Sequence, residues 1–222
     1  MSIASKLQKV VIIYPNTDNG KSINEGVLAK SKENNITVLE SLTYLPTDQD
    51  FSAIVTKVKG LNPDAIALGG NYADSALIIK QARQAGVKIP IVGNTGLYSP
   101  KLVEIGGAEV DGTLLLVSYL SANPAPRVQN FVTKWKAKYK NEEPNDKHAI
   151  GYDVMNVIVD AISRAAAQEK EKLSREGIQV ALKATKFNGG VVGEVVSFSD
   201  KNNWDRPYVH TVVKNGKFVY AD

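Results

Sequence analysis

His148 and His210 are the only two imidazoles in this 222-residue chain, so any histidine-based acid, base or metal chemistry must use them. Their separation excludes a metal pair of the HExxH kind, which needs two imidazoles on one helix face. His148, close to Asp146 at an expected helix start, reads as a solvated histidine, and His210 reads as a strand residue. With Cys 0 the chain holds no thiol nucleophile, disulfide, redox pair or cysteine-bound metal. It has no GxSxG elbow, no GxxxxGK[ST] loop, and no GxGxxG turn after its first apolar run. That turn, Pro15-Asn16-Thr17-Asp18-Asn19-Gly20, lacks the glycines that admit a pyrophosphate. The carboxylates are scattered: Asp48 with Asp50, which read as helix caps, Glu142 with Glu143, and the distant Asp64 and Asp74. No acid-base pair stands out, and the expectation is of no catalytic residue, no metal and no cofactor.

Neutral hydrogen-bonding residues make a better pattern. Asn16, Thr17 and Asn19 follow the first apolar run, Asn71 and Tyr72 follow Gly69-Gly70, and Asn94 and Thr95 follow Gly93. Any one set is ordinary loop chemistry. Three sets at the carboxyl ends of strands of one open sheet point towards a small polar ligand.

The elements that would position these sets are readable. Val10 to Tyr14 is apolar without alternation, as in a strand covered on both faces. Helical spacing then links Ile23, Val27 and Leu28, and Asn34-Asn35 ends that helix. Strands are expected at Ile36 to Tyr44, Asp64 to Gly70, Ile89 to Val92 and Gly112 to Val117. Between them lie a helix with the stripe Phe51, Ile54, Val55 and Val58, one running from Ala73 to Gly86, and one opened by Ser99-Pro100. Five βα units predict an α/β domain with a doubly wound, five-stranded parallel sheet and helices on both faces. After Ser118 the pattern changes to helices over Arg127 to Lys140, Lys147 to Gln168 and Ser174 to Ala184, whose apolar stripes need a sheet that the sequence does not supply. Short strands follow at Val191 to Phe198, Tyr208 to Val213 and Lys217 to Tyr220, the last two joined by Asn215-Gly216, a two-residue hairpin signal.

Composition narrows the partners. A net charge of +4 from Lys+Arg 27 against Asp+Glu 23 is too small an excess for a nucleic-acid footprint. The basic run Lys134 to Lys140 reads as a solvated helix face, because Phe131 and Trp135 share the opposite stripe. No run of about 18 apolar residues is present to span a membrane. Met1 to Gln8 lack the apolar stretch of a signal peptide.

In this order, Lys9 to Tyr14 with Asn19-Gly20, Thr47 to Ser52, Asn62 to Ile66 with Gly69-Gly70, Lys80 to Gly86 and Ile89 to Gly93 closely resemble the branched-chain amino-acid type of periplasmic solute-binding protein. The likeness continues through Gly151-Tyr152-Asp153, Ala161-Ile162, Ala181 to Lys183, Gly193 and Phe198 to Asn215 to Val219. The resemblance implies a type I, two-lobed fold that closes on a solute and delivers it to an ABC membrane permease in the periplasm. It implies that residues 8–118 and 207–222 build the second lobe, and that 124–203 are the helical part of a first lobe whose sheet is missing. It places the ligand on Asn19, Asn71, Tyr72, Asn94, Thr95 and Tyr152. Thr95 stands where amino-acid binders of the family carry an acid, and Asn71 where they carry an aromatic residue, which leaves amino acid, amide or another small polar solute open. Self-association through the incomplete lobe is expected, and a ligand-sensing module of the same fold is the alternative to transport.

Overall fold

A computed structural model of the chain describes residues 7–168, 173–199, 203–204 and 206–221. The segment read for a signal peptide falls largely outside these residues, as does Asp205. The chain divides into two compact units, one of Met1–Val117 with His210–Asp222 and one of Ser118–Val209.

Unit 1 is a doubly wound α/β unit. Its elements are β1 (Lys9–Pro15), α1 (Asp18–Glu33), β2 (Thr37–Tyr44), α2 (Ser52–Leu61), β3 (Ala65–Leu68), α3 (Tyr72–Gln84), β4 (Ile91–Gly93), α4 (Pro100–Gly106) and β5 (Leu114–Val117). Strands β1 to β5 pair in parallel in the order β2-β1-β3-β4-β5. Val11, Ile12 and Ile13 are at most 1% exposed, as their unbroken apolar run requires. Local signals set helix ends: Asn62 takes the left-handed conformation (φ 47°) before Pro63 and closes α2, and Ser99 opens α4 by capping Lys101 N–H at 3.3 Å with Pro100 at the first helical position.

The five parallel strands are joined by two more. β8 (Val209–Lys214) and β9 (Lys217–Tyr220) form an antiparallel hairpin that extends the sheet beyond β5 to seven strands. Its turn uses Asn215 at φ 50° and Gly216 at φ 70°, the positive values that this hairpin demands. The turn is tied back to unit 1 by the Asp111 carboxylate, which accepts the N–H groups of Asn215 (2.8 Å) and Gly216 (3.1 Å).

Unit 2 holds α5 (Pro126–Lys138), α6 (Asp146–Gln168), α7 (Arg175–Lys183) and the two-stranded pair β6 (Lys186–Asn188) and β7 (Val195–Ser197). Ala161 and Ala165 of α6 meet Ala181 of α7, with Ile178 and Leu182 packed around them. Arg164 ties the two helices further, donating to the Ala181 carbonyl at 2.9 Å and the Thr185 hydroxyl at 3.1 Å. The other face of α6 leaves Met155 and Val159 each 57% exposed, and Val180 of α7 is 63% exposed.

Two details depart from expectation. The strand expected at Val191 to Phe198 is confined to β7, because Val191 and Val192 direct their N–H groups to the buried Asp153 carboxylate, both at 2.8 Å. His148 is half-buried and not simply solvated: its ring stacks on Trp135 at 4.3 Å, its Nδ1 accepts Asn145 N–H at 3.2 Å, and burial pulls its pKa down. No helix among the described residues is long and apolar enough to cross a membrane.

Candidate functional site

From β1 the chain runs to β2 on one side and returns to β3 on the other, so the direction of winding reverses between β1 and β3. Helices on opposite sides of the sheet leave a crevice at the carboxyl ends of such strands. Residues 16–20, 69–72 and 93–96 are the loops that border it.

The first loop is built by capping. Asn16 N–H donates to the Tyr44 carbonyl at 2.7 Å, which fastens the end of β1 to the end of β2. The Thr17 hydroxyl accepts Gly20 N–H at 3.1 Å and opens α1. Asn19 lies in the first turn of α1 and is exposed.

The second loop is held from below by a tyrosine and an aspartate. Gly69 N–H donates to the Ile13 carbonyl at 2.8 Å. A Cβ on Gly70 would come within 2.6 Å of the Tyr44 hydroxyl, so the backbone passes where no side chain fits. Asn71 caps α3 and is exposed; its N–H donates to Asp74 Oδ1 at 3.2 Å, while Asp74 Oδ2 accepts the Tyr44 hydroxyl at 2.5 Å. Burial, and then the Asp74 bond, push the Tyr44 phenol far above its ordinary range, so it remains a neutral donor. A concavity of about 450 Å³ adjoins Asn71, with Pro46, Gln49 and Leu77 on its walls.

The third loop is locked to the second. Asn94 Oδ1 accepts Gly70 N–H at 3.4 Å. A Cβ on Gly96 would fall 2.1 Å from the Gly70 carbonyl oxygen, so the two loops lie backbone against backbone. Asn94 and Thr95 are half-buried beside this contact, as is Tyr72 at the start of α3.

Five of the six residues expected to hold a ligand therefore lie on unit 1, on the loops and first helical turns that follow β1, β3 and β4. Tyr152 belongs to unit 2, on α6, with 41% of its surface exposed and its ring 5.1 Å from that of Phe131. Sequence reasoning missed Tyr44, Gly70 and Gly96 as positioning residues, and counted Asp74 only as a scattered carboxylate. A weak signal did exist for Asp74, since Asn71-x-x-Asp74 has the spacing of a capping box. Tyr44 had none, because its role depends on β2 lying beside β1. Among the described residues no group of three or more histidine or carboxylate side chains gathers to hold a metal.

A family model described as periplasmic binding protein matches residues 2–217. Leu/Ile/Val-binding protein homolog 3 of Brucella melitensis is 29% identical over 164 residues, which cover 74% of this chain and 44% of that protein. The Leu/Ile/Val-binding protein of Escherichia coli is 28% identical over 133 residues, 60% of this chain and 36% of its own. Among solved structures, a leucine binding protein from Thermotoga maritima superposes with a TM-score of 0.87 at 32% identity, covering 99% of this chain and 61% of that one. A branched-chain amino acid transporter substrate binding protein from Streptococcus pneumoniae, in complex with isoleucine, gives a TM-score of 0.79 at 28% identity, covering 97% and 60%. The chain thus spans less than half the length of these curated relatives and about three fifths of these solved ones.

Proposed function

This chain belongs to the periplasmic binding protein family, and we propose that it binds a small polar solute, such as an amino acid or an amide, at the carboxyl ends of β1, β3 and β4. The family is one of solute-binding proteins and not of enzymes. The observation that carries the reading is the Gly70–Asn94 junction, which brings the Asn71 and Thr95 loops together at the point where the winding of the sheet reverses. The amino ends of α1 and α3 open toward the same end of the sheet. The Escherichia coli relative is named for leucine, isoleucine and valine, the Thermotoga maritima structure for leucine, and the Streptococcus pneumoniae structure holds isoleucine, which supports an amino acid as the first solute to try. In this reading the chain works in the periplasm and delivers its solute to the membrane permease of an ABC transporter.

Calorimetric titration with leucine, isoleucine, small amides and sugars tests the proposal. For whichever of these binds, Asn71→Ala and Thr95→Ala each weaken affinity about tenfold, the loss of one hydrogen bond of roughly 1.4 kcal/mol. Unchanged affinity in both variants would place the solute elsewhere.

The apolar surface on α6 and α7 supports a second element of the proposal, that unit 2 self-associates. Sedimentation equilibrium is expected to show a concentration-dependent dimer that Met155→Lys with Val159→Lys shifts to monomer. A wild-type chain that stays monomeric at about 100 μM, well above the micromolar Kd of a weak specific complex, would refute it.

A further inference from the structure

The opposite end of the same sheet carries a second concavity. At the amino ends of β4 and β5 lies a cavity of about 510 Å³, walled by Arg83, Lys88, Pro90, Asp111, Leu114 and Val212 among others. All belong to unit 1, and none takes part in the site at the carboxyl ends.

Its charges are unevenly satisfied. Arg83, near the end of α3, is half-buried, and its Nη1 donates to the carbonyls of Val87 (2.7 Å) and Ile89 (2.9 Å). Those two bonds hold the guanidinium in place and leave the Nε and Nη2 donors without a partner among the described residues. Burial lowers the Arg83 pKa, as befits a cation removed from water without a compensating anion. Among the described residues neither Arg83 nor Lys88 forms an ion pair. The carboxylate on the wall, Asp111, is already engaged by the Asn215 and Gly216 N–H groups. Pro90, Leu114 and Val212 supply an apolar surface beside these cations.

We propose that this cavity binds a small organic monocarboxylate, its charged end on Arg83 and Lys88 and its apolar body on Pro90, Leu114 and Val212. A planar guanidinium with two free donor directions matches a carboxylate, and a cation half withdrawn from water gains more from that pairing than an exposed one. Asp111 on the same wall sets repulsion against a second negative charge, so a singly charged ligand is favoured over phosphate. The site stands whether or not the solute proposed above is correct.

Titration of the full chain with hexanoate, followed by calorimetry and by amide chemical shifts, tests it. Saturable binding with a Kd of about 1 mM or tighter is expected, with shifts at residues 83–90 and 111–114. Acetate, which lacks the apolar body, and inorganic phosphate each bind about tenfold more weakly. Lys88→Glu, an exposed change that preserves the fold, weakens hexanoate about tenfold, whereas Asn71→Ala leaves it within about twofold. Absence of saturation, equal affinity in Lys88→Glu, or loss of binding in Asn71→Ala would each overturn the assignment.

Discussion

Replacing Asp153 with alanine lowers the stability of unit 2 by about 3–5 kcal/mol, because two buried N–H groups lose their acceptor together and a void replaces the carboxylate. Asp153 is 0% exposed on α6, and its two oxygens accept Val191 N–H and Val192 N–H at 2.8 Å each. Asp153→Asn keeps one acceptor oxygen and loses about half as much. Both tryptophans, Trp135 and Trp204, belong to unit 2, so intrinsic fluorescence during urea unfolding follows this unit by itself. A denaturation midpoint unchanged in the alanine variant would show that the loop holds without the carboxylate. The wild-type site also carries a pH signature. Burial raises the Asp153 pKa, although the two N–H bonds and Arg127 draw it back in part. A carboxyl raised above its unfolded pKa is bound more tightly as the neutral acid by the folded chain. Its contribution is therefore greatest below the unfolded value near 3.9 and declines as pH rises through the folded one. That decline is absent from Asp153→Asn.

Gly96→Ala separates the two loops of the candidate site, with a loss of about 1–3 kcal/mol in unit 1 and more than tenfold weaker solute binding. Its Cβ would stand 2.1 Å from the Gly70 carbonyl oxygen, which is backbone and cannot rotate away. Relief requires the 94–97 turn to retreat, and Asn94 and Thr95 retreat with it. Gly26→Ala provides the control: its Cβ meets nothing within 4 Å on α1, so that variant gains about 0.5–1 kcal/mol and binds as the wild type does. Solute affinity in Gly96→Ala equal to that of the control would dissociate the loop junction from binding.

The parts of this fold that could be read from the sequence are those decided locally. Val10 to Tyr14 announces a buried parallel strand because it is apolar without alternation, the strands expected at Asp64 to Gly70 and Gly112 to Val117 contain β3 and β5, and Asn215-Gly216 announces its hairpin because few other pairs tolerate its backbone. What escaped was decided by partners distant in the chain. Val191 and Val192 look like strand residues, yet a carboxylate on α6 claims their N–H groups. His148 looks like a surface imidazole, yet α5 brings Trp135 to its face. At the site, Asn71, Asn94 and Thr95 were visible as loop residues after strands. Tyr44, which fixes Asp74 and so the start of α3, was not, since an aromatic residue at the end of a strand is usually core.

The hairpin of β8 and β9 also bears on how the chain is made. Unit 1 takes its strands from both sides of unit 2 in the sequence, so β8 leaves the ribosome only after all of unit 2. Until then β5 stays an open edge, with Thr113 O and Gly112 N–H lacking the Val213 partner they have in the finished sheet. Unit 2 is thus a long loop that must close while a sheet waits with one margin uncovered, a situation that slows folding and invites pairing between nascent chains. On a polysome, completion of the sheet by β8 therefore competes with strand pairing between neighbouring nascent chains.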